Sequence, residues 1–113
     1  MIEHRIFFPR DDKAAHDFAE SSLDDRRNFE VEAFSLSQKM ELMRVLALQA
    51  PHLRPKNGDP GKLISAADIQ VFLPIVAELR KKTTNEDFGK LLDRVYDRTR
   101  KTRDLGLPIL LFR

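Results

Sequence analysis

Phe88, Leu91, Leu92, Val95, Tyr96 and Thr99 fall at i, i+3, i+4, i+7, i+8 and i+11. Residues three and four positions apart share one face of a helix, so this stripe predicts an amphipathic helix over residues 85–102. Glu86 and Asp87 fall in its first turn, and Arg100, Lys101 and Arg103 near its end. That charge order complements the helix dipole at both ends. A helix with one apolar face needs other elements to cover it. The chain has 113 residues, enough for a single small domain spanning 1–113 and little more.

The covering elements read as further helices. Ser65 and Asp68 suit a capping box ahead of Ile69, Phe72, Leu73, Val76 and Leu79, which predicts a helix over 65–81, with Val71 and Ile75 widening its apolar face. Ser35 and Gln38 offer the same signature ahead of a run without Gly or Pro, a helix over 37–50 ended by Pro51. Met40, Leu42, Met43, Val45, Leu46, Ala47 and Leu48 occupy most of its circumference, the pattern of a central helix covered on more than one side. A thinner stripe of Ala14, Ala15, Phe18 and Ala19 predicts a peripheral helix over 11–22. The expected core is Met43, Leu46, Phe72, Val76, Phe88, Leu92 and Val95.

Two short apolar segments lie at the ends. Ile2, His4, Ile6 and Phe8 alternate ahead of Pro9, and Ile109, Leu110, Leu111 and Phe112 follow Gly106 and Pro108. The pattern suits two short strands pairing with each other, or a tail lying in a groove of its own chain. Phe29, Val31 and Ala33 alternate with Glu30 and Glu32, but Phe34 interrupts the alternation, so residues 23–34 read equally as strand or coil. The expected fold class is therefore mainly α: a small bundle of three to four helices, with a short β pair formed by the terminal segments.

Composition removes several chemistries. There is no Cys, hence no disulfide, no thiolate nucleophile and no cysteine-based metal site. No apolar run approaches the roughly 18–20 residues that span a bilayer, and the polar segment after Phe8 is unlike a signal peptide, which sets the expectation of a cytoplasmic protein without membrane contact. His4, His16 and His52 are scattered without metal-ligand spacing, and no nucleophile elbow or phosphate-binding glycine loop occurs. The segment from Pro55 to Asp68 resembles an EF-hand loop in part, with Asn57, Asp59 and Asp68 at ligand positions. Pro55 replaces the first aspartate, Pro60 and one further residue lengthen the loop, and Asp68 stands where a bidentate Glu is needed. Turn chemistry accounts for the same residues, so no metal and no cofactor are expected.

Charge is nearly balanced overall, with 20 Lys/Arg against 18 Asp/Glu. Only a local patch could recruit a polyanion. Lys90, Arg94, Arg98 and Lys101 form such a patch beside the apolar stripe of the last helix, with Asp93 and Asp97 placed to pair with them. The expectation is a non-catalytic protein–protein interaction or adaptor module, self-associating as a homodimer. Its interface is drawn from Ile109, Leu110, Leu111 and Phe112, because alternate side chains of a strand face opposite ways and Leu110 and Phe112 would need cover from a second copy. The competing account buries all four residues within one subunit. The alternative function is a nucleic-acid-binding accessory protein, or a binder of an acidic partner, using Lys90, Arg94, Arg98 and Lys101.

Overall fold

In the computed structural model, which describes residues 4–16, 29–56 and 61–112, the two ends of the chain meet in one sheet. The elements in order are β1 (His4–Pro9), α1 (Asp12–His16), β2 (Phe29–Phe34), α2 (Leu36–Gln49), a 3₁₀ turn (Pro51–Leu53), β3 (Lys62–Ile64), α3 (Ala66–Lys82), α4 (Glu86–Asp104) and β4 (Ile109–Leu111). The sheet runs β2-β1-β4-β3, with every neighbouring pair antiparallel. Of the two arrangements open to the terminal segments, pairing is the one found, with Ile6 opposite Leu111 and Phe7 opposite Leu110. The pair is not the whole sheet. β2 adds six residues of ladder on one side and β3 three on the other, so the fold is helices packed on a four-stranded sheet rather than a bundle with a ribbon.

Local chemistry places each helix. The Ser35 hydroxyl accepts from the Gln38 amide at 3.2 Å while the Gln38 side chain accepts from the Ser35 amide at 2.8 Å, so the capping box that opens α2 is complete. In α3 the Ser65 hydroxyl accepts from the Asp68 amide. The Asn85 side chain accepts from the Phe88 amide at 2.9 Å and starts α4 after three connecting residues, which folds α3 and α4 into an antiparallel hairpin. Gly89 is buried where α4 meets α3. A Cβ there would come within 2.7 Å of the Arg80 guanidinium, which crosses α4 to reach Asp93 at 3.0 Å.

Alternation splits the sheet between two cores. Ile6, Phe8, Phe34, Ile64, Ile109 and Leu111 join the helices in the larger one, with Leu46, Phe72, Val76, Phe88, Leu92 and Val95. Met43 packs against it only partly buried. On the opposite face Phe7, Phe29, Leu110 and Ala14 of α1 form a smaller core, with Phe7 and Phe29 edge to face at 6.1 Å. Two expectations need correction. α2 is peripheral rather than central, since only Leu42 and Leu46 within it are fully buried while Leu36, Met40 and Leu48 are exposed. Val71 is exposed as well, so the apolar face of α3 is narrower than its sequence suggests. The first helix is described only over Asp12–His16; residues 17–28, Asn57 and Asp59 lie outside the described residues.

Candidate functional site

The tail is placed by the end of α4. Gly106 takes φ 72°, donating its amide to the Arg103 carbonyl, and Leu107 donates to Thr102 at 3.0 Å. This pair of bonds is the Schellman arrangement, which satisfies the last carbonyls of the helix and turns the chain back along the sheet. β4 then enters between β1 and β3. Ile109 and Leu111 point into the larger core and Leu110 into the smaller one. A continued strand would send Phe112 to the same face as Leu110. Its φ of 58° instead ends the strand and returns the ring to the larger core, edge to face with Phe34 at 5.2 Å. Leu110 is 8% exposed and Phe112 6%. The four tail residues are thus covered within one chain, and Leu110 and Phe112 offer no open apolar surface. The premise that these two need a second copy is corrected: β2 and α1 cover the face on which Leu110 lies.

The basic face of α4 is divided by what lies beneath it. Glu32, on the core side of β2, has a side chain only 9% exposed and accepts from Arg94 at 3.1 Å and from Arg98 at 2.7 Å. Arg98 also bridges to Glu30, which lies 3.6 Å from Arg10. A chain of charges therefore runs Arg10, Glu30, Arg98, Glu32, Arg94 and pins β2 to α4. Lys90 pairs with Glu86 at 3.4 Å and is exposed, as is Lys101. Asp93 pairs with Arg80 and Asp97 with Arg100, rather than with the neighbours on α4 expected for them. Two of the four cations are thus committed to partners inside the fold, and among the described residues no exposed aromatic platform for unpaired bases stands beside them. Anisotropy titration of labelled duplex and single strands at about 150 mM salt is expected to show no binding. Micromolar, salt-sensitive binding removed by Lys90→Glu and Lys101→Glu would reverse that expectation. These two exposed lysines are the proper probes, because reversing Arg94 and Arg98 would crowd Glu32 with like charge.

An uncovered apolar surface lies on α2. Leu36 is 62% exposed and Met40 57%, and beside them lie half-buried Met43 and Ala47. Together with Ser37, Glu41, Arg44 and Arg54 they line an open groove of about 830 Å³. The spacing of the four apolar residues, four, three and four, is that of a helix seam. Apolar residues around most of α2 are visible in the sequence; which side the fold covers is not, because that depends on where β2 and α3 meet the helix. A groove with apolar walls and a charged rim can receive another apolar helix or segment. It holds no candidate nucleophile paired with a base, and among the described residues no cluster of His, Asp and Glu could hold a metal ion.

The histidines remain apart. His4 Nδ1 lies 3.3 Å from the Lys39 ammonium; burial first, and then the Lys39 charge, hold its pKa below the usual 6.5. His52 is exposed at the 3₁₀ turn. No helix among the described residues is long and apolar enough to cross a membrane. No known protein family, curated protein or solved structure matches the chain.

Proposed function

We propose that the chain is a non-catalytic protein-binding module of the cytoplasm that acts through the outer face of α2. The observation that carries this reading is the exposure of Leu36 and Met40 beside Met43 and Ala47 on one helix that is otherwise anchored in the core. Single exposed apolar residues are ordinary on a protein surface, whereas a continuous apolar groove marks an interaction site. Methionine suits such a site, since its unbranched, polarisable side chain adapts to the shape of a partner. The placement differs from the tail residues 109–112, whose side chains the fold itself consumes.

A photo-cross-linking side chain at position 40 of the full chain, activated in cells, is expected to give discrete protein adducts. The same group at position 97, on the polar side of α4, is expected to give none. Equal labelling at the two positions, or none at position 40, would remove the support for this reading.

A further inference from the structure

We infer that the occupant of the α2 groove is a second copy of this chain, its own α2 laid antiparallel across a two-fold axis. This rests on the reading of that face as a protein-binding surface and goes further by naming what binds. The spacing of Leu36, Met40, Met43 and Ala47 is the same read in either direction: four, three, four. A helix carrying such a stripe can be turned end over end and laid on itself with every apolar position facing an apolar position. Leu36 then faces Ala47 of the other copy, large against small, and Met40 faces Met43. A two-fold axis repeats both contacts, so each patch meets its own complement.

The rim charges select the direction. Glu41 and Arg44 are exposed on the same flank of the stripe, and neither makes an ion pair with another described residue. In the antiparallel arrangement the flank of one helix lies beside the same flank of the other. Glu41 of one copy then stands about 3 Å along the axis from Arg44 of its twin, at about 1.5 Å of rise per residue. Side chains of that length close this offset readily, twice per dimer. A parallel pairing would instead carry the two charged flanks to opposite sides of the seam, so that Glu41 of one copy could not reach Arg44 of the other. An unrelated partner would need neither the symmetric spacing nor the opposed charges. One helix face covers less than the roughly 1,600 Å² of a standard stable interface, so the dimer is weak and concentration-dependent, with a dissociation constant above about 1 μM.

Sedimentation velocity on the full chain from about 5 μM to about 1 mM reads this directly. Wild type is expected to pass from monomer to dimer in that range. Arg44→Glu alone and Glu41→Arg alone each place like charges across the axis and are expected to weaken the dimer about 5-fold or more, while the double exchange E41R/R44E restores it to within about 2-fold. The restoration separates a charge pair across the axis from a general loss of surface, and both positions are exposed, so circular dichroism should show all three variants folded. A wild type still monomeric at about 1 mM overturns the inference, as does a dimer indifferent to the single exchanges. If the wild type is monomeric while position 40 cross-links to chains of other mass, the self-pairing fails and the protein-binding reading of α2 stands. If position 40 gives no adduct either, both fail.

Discussion

Replacing Phe72 by Ala is expected to destabilise the protein by about 3–5 kcal/mol and to lower its thermal midpoint by about 10–20 °C. The ring is fully buried on α3, in the cluster that joins the three long helices to the sheet. Truncation removes its transfer free energy and leaves a cavity that close-packed neighbours fill only in part. A small domain has about 5–15 kcal/mol of stability in total, so this one change consumes a large share of it. Val71 is the internal control. It is adjacent in sequence and equally apolar, yet 41% exposed, and Val71→Ala should move the midpoint by no more than a few degrees. Equal midpoints for F72A and wild type in a thermal melt would mean that α3 presents a different face to the core.

The charge network gives the second large effect, and its size depends on which partner is removed. Glu32 is the buried member, with a side chain 9% exposed, whereas Arg94 and Arg98 keep 52% and 32% of theirs in water. Removing both arginines strands a carboxylate without a counter-charge, which costs about 3–5 kcal/mol. Glu32→Gln leaves the arginines able to turn toward solvent and retains an oxygen that can accept one bond. The expected loss there is about 1–2 kcal/mol. Chemical denaturation of R94A/R98A and E32Q at neutral pH tests the order. A double variant no less stable than E32Q would show that the network contributes little to holding β2 on α4.

That network also explains why β2 could not be assigned from its own residues. Phe29, Val31 and Ala33 look like the core face of a strand, and Phe34 looks like an error in the pattern. In the fold Phe34 is in register with Glu30 and Glu32 on the side facing α4, where it joins the larger core while the two carboxylates meet arginines more than sixty residues away. Phe29 belongs to a different core on the other face. Both faces of this strand are occupied, and two-residue alternation cannot say which face is larger. Inward charges on an edge strand also discourage sheet-to-sheet association, so they serve the fold in a way that hydrophobicity alone does not register.

The helices were legible because what makes them is local. A capping serine or asparagine, acidic residues in a first turn and apolar side chains every three or four positions act within one or two turns, and α2, α3 and α4 begin and end within two residues of where these signals place them. That the two terminal segments need cover was also legible, since neither could bury its apolar residues alone; that they pair in one sheet was one of two arrangements left open. Tertiary structure decided the rest. Whether Leu110 and Phe112 are open or covered depends on α1, β2 and a left-handed backbone at Phe112. Whether Arg94 and Arg98 are free depends on Glu30 and Glu32. Whether Met40 is core or surface depends on which side of α2 the sheet and α3 reach. Local signals act through bonds and turns between sequence neighbours; exposure of a side chain is a property of everything else that packs around it.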